Sequence, residues 1–421
     1  MKILILCDMF PPAFGPRMGY LTKYLHQAGH SVSVITEHIE DDTFRFLSHG
    51  VDAHHLTFPS RKDKVRWFLF FLLNLLFGLK SKAFVKRADK LIREQGPYDI
   101  LLCSTYRLFP LPAALTLSQK HGIPLVADLR DILEQYSGDE FISVRFQTIK
   151  CLDRLIVRAY KAHLLRQRNK VLCRADAITT VSPWHVEQMK RHNTRVELIF
   201  NGYDPELFFP ERLPTPRFSI TFTGRILSLS MRDPRPLFEA IALLSRDKKI
   251  DAHTFGVQWY TDEESKAMLL PLIAEYHIQD FMHFNGYVPA NAIPRILNES
   301  AILLQLTNKA DTTGPQGVMT TKLFESLAVR KPLLCVRNDE GCLEQTIREA
   351  RAGISASTAQ EAYDFILKHY HVWQEKGWTS SETDEEVLKQ YSRKEQAEQF
   401  ANLFRSIIQK QQAHAPTRPI L

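Results

Sequence analysis

None of the six cysteines, at positions 7, 103, 151, 173, 335 and 342, forms a Cys-x-x-Cys pair, so neither a zinc ribbon nor a dithiol redox centre is encoded. They read as small apolar residues of a reducing compartment. There is no Gly-x-Gly-x-x-Gly and no Gly-x-x-x-x-Gly-Lys-Ser/Thr, which disfavours dinucleotide redox chemistry and P-loop hydrolysis. No short repeat or low-complexity tract occurs, which argues against a solenoid and a disordered chain. The first residues, Met1 to Asp8, are too few and too soon charged to read as a signal peptide. Long apolar runs are missing as well. The longest, Trp67 to Leu79, has thirteen residues. As a helix it would measure about 20 Å, short of the roughly 30 Å hydrocarbon core of a bilayer.

What is present is the composition of a folded protein with a sizeable core: 421 residues, 44% hydrophobic and 24% charged. That length suits two or three domains. The net charge of +7 is unevenly spread, with 29 Lys and Arg against 19 Asp and Glu in residues 1–200 and 25 against 28 in the remainder. A basic half joined to a mildly acidic one fits a domain that faces something anionic, or a solvated basic face with no partner.

The apolar run Ile3–Cys7 reads as a buried strand. It leads into the loop Pro11-Pro12-Ala13-Phe14-Gly15-Pro16-Arg17-Met18-Gly19 and then a helix that stops at Gly29. Val32–Ile35 is the next strand, which completes a βαβ unit and predicts a parallel sheet. Further strands are predicted at 100–103, 125–127, 177–181 and 196–200. Prolines at 205, 210, 214 and 216 read as a linker, after which the pattern restarts. A strand at 219–223, a Gly224-Arg225 loop, a helix at 236–244 and a strand at 252–255 precede strands at 281–284, 301–305 and 332–336. The expected fold class is therefore α/β, with two successive parallel-sheet domains.

Two stretches of the basic half stand apart. The 67–79 run is preceded by Arg61, Lys62, Lys64 and Arg66 and followed by Lys80, Lys82, Lys86 and Arg87. It fits a helix lying in a membrane interface, with a fully buried core helix as the other reading. Residues 145–174 hold nine Lys and Arg and one acid, Asp153. Helical spacing puts Arg154, Arg158, Lys161 and Arg168 on one face and Leu152, Leu155, Ile156 and Ala159 on the other. The expected arrangement is an apolar back on the core and a cationic face outward, resting on lipid phosphates or solvated. Nucleic acid is not expected, because no recognition motif accompanies the charge.

A strand followed by a glycine loop and a helix N-terminus makes an anion site, because unpaired N–H groups and the helix dipole aim at the ligand. The sequence offers this at Gly15–Gly19 and at Gly224-Arg225, where Arg232 and Arg235 add guanidinium groups suited to phosphate. The densest candidate is the run from Gly314 to Ala328, a loop with Gly314, Gly317, Thr320 and Thr321 that opens a helix carrying Lys322 and Glu325 in its first turns. Lys322 suits phosphate. Glu325 suits the two hydroxyls of a ribose, or serves only as an acid near a helix N-terminus.

The run Lys322-Leu323-Phe324-Glu325-Ser326-Leu327-Ala328…Lys331-Pro332-Leu333-Leu334 resembles the donor-site helix of family 4 GT-B glycosyltransferases. The opening strand and Pro-rich glycine loop, Ala175–Ser182, Asn201-Gly202-Tyr203-Asp204…Phe208, Phe222–Arg225, Phe284–Val288 and the helix from Tyr391 to Ile408 resemble further landmarks of that family, in its order.

The resemblance implies two Rossmann-like, doubly wound parallel-sheet domains facing across a cleft, with a nucleotide-sugar between them. It implies an acceptor-side domain at 1–204, a linker at 205–217, a donor domain at 218–385 and a helix at 386–412 that crosses back. Arg225, Lys322 and Arg232 would hold the diphosphate, Thr320 and Thr321 would contact phosphate, and Glu325 would bind ribose. Gly224 would form the phosphate loop and Gly286, Tyr287 and Val288 would line the base. Gly15 would let its loop approach the donor. Arg17 and Arg130 are assigned to the acceptor side, where Arg130 replaces a histidine common in the family, with Asp131 as a candidate base. Gly317 stands where the family carries the first Glu of a Glu-x7-Glu motif. The absence of any Asp-x-Asp fits a site without metal or other cofactor.

The implied activity is retaining, metal-independent hexosyl transfer from a nucleotide-diphosphate sugar to a glycan or lipid-linked acceptor of envelope polysaccharide or lipopolysaccharide. It would take place on the cytoplasmic face of a membrane contacted through residues 61–93 and 145–174. A nucleotide-sugar epimerase or hydrolase, and a non-catalytic membrane-associated relative, are the competing expectations.

Overall fold

The computed structural model describes residues 1–60, 62–136, 150–308 and 316–414. Arg61, residues 145–149, Asp311, Gly314 and Pro315 of the sequence reading lie outside the described residues, as do the side chains of Leu152, Asp153 and Arg154. The chain forms two compact units. One takes Met1–Glu134, Asp139–Phe200 and the chain from Lys394 onward, and the other takes Gln135–Gly138 and Asn201–Arg393.

The first unit is built on β1 (Lys2–Cys7), β2 (Ser31–Glu37), β3 (Asp52–Leu56), β4 (Ile100–Thr105), β5 (Leu125–Leu129), β6 (Ala177–Thr180) and β7 (Val196–Leu198). They form one sheet in the order β3-β2-β1-β4-β5-β6-β7, every pair parallel. Its helices are α1 (Pro16–Gln27), α2 (Lys64–Phe77), α3 (Leu79–Gln95), α4 (Leu111–His121), α5 (Lys150–Leu172) and α6 (Pro183–Met189). Leu4, Leu6, Leu101, Cys103, Leu125 and Ala127 of the sheet pack with Phe84 and Leu91 of α3 and with Ala113 and Leu117 of α4. Such near-continuous apolar strands are what a sheet covered on both faces requires.

The second unit repeats the scheme with β8 (Phe218–Thr223), β9 (Phe255–Tyr260), β10 (Met282–Phe284), β11 (Ile302–Leu306), β12 (Leu333–Val336) and β13 (Gly353–Ala356). The order is β10-β9-β8-β11-β12-β13, again all parallel. Its helices are α7 (Arg235–Arg246), α8 (Glu263–Glu275), α9 (Ile293–Asn298), α10 (Thr321–Ala328), α11 (Cys342–Glu349), α12 (Ala359–Lys376) and α13 (Glu385–Lys389). The last helix, α14 (Arg393–His414), belongs from Lys394 onward to the first unit. Both sheets are doubly wound. The strand order reverses between β1 and β4 in one and between β8 and β11 in the other, and ligands of such sheets bind outside the carboxyl ends of the strands at that reversal.

Several expectations need correction. The strand expected at 252–255 begins only at Phe255, because Asp251–Thr254 closes a turn in which the Thr254 and Phe255 amides donate to the Asp251 carbonyl. The first unit ends at Phe200 rather than at 204. The proline-rich 205–217 stretch is fastened to the second unit: the Glu211 amide donates to Asn298 at 2.8 Å and the Trp373 indole to the Thr215 carbonyl at 2.6 Å. The 67–79 run is not one helix, since α2 stops at Gly78, a left-handed residue with φ 61°.

The α5 helix is turned the other way from its expected orientation. Leu155 and Ile156 are 65% and 41% exposed, whereas Arg168 is 1% exposed and paired with Glu134, flanked on its face by buried Leu164, Val171 and Leu172. A half-buried carboxylate partner outweighed the apolar pattern. Arg158 is exposed, but so is Ala159, so the side opposite the buried face is mixed rather than purely cationic.

Candidate functional site

At the carboxyl end of β8, on the reversal point of the second sheet, stands Gly224 with φ 138°. A Cβ there would fall 1.7 Å from the Lys322 Nζ, so the absent side chain makes the notch that seats the ammonium. Lys322 is brought there by α10. Thr320 is the N-cap and accepts a long 3.4 Å hydrogen bond from the Lys322 amide, Thr321 is the first helical residue, and the partial positive charge of the helix start adds to that of the lysine. Burial pushes the Lys322 pKa down to about 8, the nearby Arg232 and Arg225 push the same way, and Glu325 opposes them. A cation held at this cost in a glycine notch is poised for an anion, whose charge would raise its pKa again.

The two arginines extend the cluster. Arg232 donates to the backbone carbonyl of Arg225, and its burial lowers its pKa. The Arg225 side chain, 60% exposed, donates from Nε to the Tyr287 hydroxyl at 2.6 Å and pairs with Asp262 at 3.2 Å. Asp262 also caps α8 by accepting from the Ser265 amide at 2.8 Å. Tyr287 lies in the turn after β10, between the left-handed Gly286 (φ 68°) and half-buried Val288. Arg225 thus ties the glycine loop after β8 to the turn after β10. Glu325 lies one turn along α10 from Lys322; burial raises its pKa, and the charges of Arg393 and Lys322 pull it back. Gly317 is left-handed at φ 65°, a conformation in which a glutamate would be strained.

In the first unit the residues expected near an acceptor are differently engaged. Arg17 is buried, pairs with Asp128 at 2.9 Å, donates to the carbonyls of Ile199 (2.9 Å) and Phe200 (2.8 Å), and lies 5.4 Å over the Phe400 ring. It is a structural tie, which corrects its assignment to an acceptor. Asp128 also accepts from Ser104 at 2.7 Å and Thr179 at 2.8 Å; burial raises its pKa, but Arg17 and these hydroxyls together outweigh that and hold it below the usual carboxylate value. Arg130 pairs with Asp8 at the carboxyl ends of β5 and β1, 6.0 Å over the Tyr106 ring, and Asp131 beside it is half-buried. Gly15 caps α1, and a Cβ on it would lie 2.7 Å from the Phe10 Cα. The close approach it permits is to its own loop.

The structure therefore gathers Gly224, Arg225, Arg232, Thr320, Thr321, Lys322 and Glu325 at the carboxyl end of the central strands of the second sheet, with Gly286, Tyr287 and Val288 joined through Arg225. Sequence reasoning missed Asp262 and Asp8. Each had a signal: Asp262 begins an Asp-x-x-Ser helix start, and Asp8 directly follows a buried strand.

Two doubly wound parallel sheets, one with a cationic helix start at its reversal point, define a two-unit α/β protein. Residues 14–202 match the family described as a glycosyl transferase 4-like domain. Among solved structures, HepE of Anabaena in complex with UDP and glucose is 16% identical, with a TM-score of 0.67 over 96% of this chain and 100% of that one. Sucrose-phosphate synthase from Thermosynechococcus elongatus is 14% identical, with 0.62 over 97% and 100%. The lipopolysaccharide outer core galactosyltransferase WaaB is 11% identical, with 0.58 over 96% and 99%. No curated protein matches the chain significantly. The family match covers less than half of the chain, and the similarity to the solved structures shows that the whole chain has the GT-B fold that the sequence resemblance implied.

Proposed function

We propose that the protein transfers a glycosyl group from a nucleoside-diphosphate sugar to a glycan or lipid-linked acceptor, with retention of anomeric configuration and without a metal ion. The observation that carries this reading is the Lys322 ammonium seated in the Gly224 notch at the start of α10. In transfer, the bond from the anomeric carbon to the diphosphate oxygen breaks, and the acceptor oxygen takes its place and loses its proton. The negative charge left on the diphosphate is met by Lys322, Arg225, Arg232 and the α10 amides, fixed before the reaction and therefore without reorganisation at the transition state. Glu325 holds the ribose, and the Gly286–Val288 turn lines the base. Asp131 is the candidate proton acceptor, and Arg130, steadied by Asp8, positions the acceptor. The reaction takes place at the cytoplasmic face of a membrane.

UDP is the first nucleotide to test, because the HepE structure is described with it. Calorimetric titration with UDP, GDP, ADP and dTDP in the presence of a chelator is expected to show selective binding to one, lost in Glu325→Ala. Product formation from the matching sugar nucleotide should need an acceptor, which separates transfer from epimerisation or hydrolysis. A non-catalytic reading draws on Gly317, whose backbone disfavours the family's carboxylate. It would prevail if all four nucleotides failed to bind.

A further inference from the structure

The α2 helix carries apolar side chains on both of its sides. One side packs on its own unit: Trp67, Phe70, Phe71 and Asn74 are half-buried, Phe70 stacks on Phe58 at 5.7 Å, and Asn74 accepts from the Lys80 amide at 2.8 Å to close the turn into α3. On the other side Phe68, Leu69, Leu72, Leu73, Leu76 and Phe77 are all exposed, Leu69 by 58% and Leu76 by 74%. A helix resting on a core ordinarily turns a polar face to water, so this second face lacks its partner.

The charges around it indicate the partner. Lys64 and Arg66 at the start of α2, and Lys82 and Lys86 on the first turns of α3, are exposed and make no ion pair among the described residues. Lys86 and Lys82 lie four residues apart and so share one side of α3. We infer that α2 docks into the interfacial layer of an anionic lipid bilayer, lying in its plane with the Leu69–Leu76 face among the acyl chains and the flanking cations on the headgroup phosphates.

Three features select this occupant. At fourteen residues α2 is about 21 Å long, and among the described residues no single helix is long and apolar enough to cross a membrane. The chain bends by 73° at Gly78, so α3 leaves the direction of α2 as soon as the apolar run ends. A second copy of the chain would bring like cations together, because a twofold contact sets the same patch against itself.

The test is flotation of the full chain with vesicles of phosphatidylcholine alone and with about 30 mol % phosphatidylglycerol. Binding to the anionic vesicles, weakened by salt, is expected. The double substitution Leu69→Asp with Leu76→Asp, at exposed positions, should lower the bound fraction about tenfold or more. It should leave the melting temperature and the nucleotide titration unchanged, and Lys82→Glu with Lys86→Glu should remove the preference for anionic lipid. Failure of the wild-type chain to float, or equal flotation of the aspartate variant, would overturn the inference. A lipid-free dimer that the aspartate variant dissociates would overturn it in favour of a second copy.

Discussion

Arginines and a lysine stand at glycine-bearing loops in both units, and the two units use them in opposite ways. In the first, Arg17 is satisfied within its own unit: Asp128 neutralises it, two carbonyls accept from it and Phe400 covers it. In the second, Lys322 is buried with its pKa pushed down, among Arg232 and Arg225, with Glu325 as the one acid acting on it among the described residues. A cation buried with its own counter-ion stabilises a fold, whereas cations crowded together store a demand for an external anion. The glycine loop marks the place in both units. The nearby carboxylate decides what the cation does.

The largest effect should come from breaking the neutralised pair. Arg17→Ala leaves Asp128 buried and uncompensated, which costs about 3–5 kcal/mol. The first unit should then melt at a clearly lower temperature by scanning calorimetry, while exposed Arg225→Ala stays within about 0.5 kcal/mol of wild type. Equal destabilisation by the two would erase the contrast. Lys322→Ala is the converse experiment. Turnover is expected to fall by about 10²–10³-fold, as when a group that stabilises transition-state charge is lost, with no loss in melting temperature.

Gly224→Ala sharpens the comparison further. The new methyl displaces the flexible end of Lys322 and strains a backbone at φ 138°, at about 1–3 kcal/mol, so nucleotide affinity should drop at least about tenfold in a chain that still folds. The smallest effect is that of pH. Phosphate binding needs the charged lysine, whose pKa is about 8, so affinity should be flat below that value and weaken above it by at most about tenfold per unit. Lys322→Arg, charged throughout, should abolish that slope; a slope that persists would assign the titration to another group.

The sequence made the buried strands readable, because β1, β4 and β12 contain the uninterrupted apolar runs Ile3–Cys7, Ile100–Cys103 and Leu333–Val336. It hid the strands that are not. β3 reads Asp-Ala-His-His-Leu at a sheet edge, where one side of the strand need not be apolar. β9 carries Gly256 and Gln258, and β13 is the short Gly-Ile-Ser-Ala. α5 was misread for a physical reason: helical periodicity assigns charge to water, and Arg168 goes inward because Glu134 meets it there. Of the candidate site, the residue types and their loops were legible. The seating of Lys322 against Gly224 was not, since it joins positions 98 residues apart and depends on the reversal in strand order. Arg17 looked like a free cation because nothing local announces Asp128, 111 residues away.

The return of the chain to the first unit at Lys394 has a consequence for biosynthesis. Asn201–Arg393 leaves the ribosome whole, whereas the unit that is translated first must wait for Phe400 to come beneath Arg17. The second unit can therefore complete its fold before the first, which reverses the usual N-terminal-first order of domain folding. Stopping translation anywhere between 200 and 394 would release a first unit with its α14 contacts unfilled, a target for chaperones rather than a finished domain.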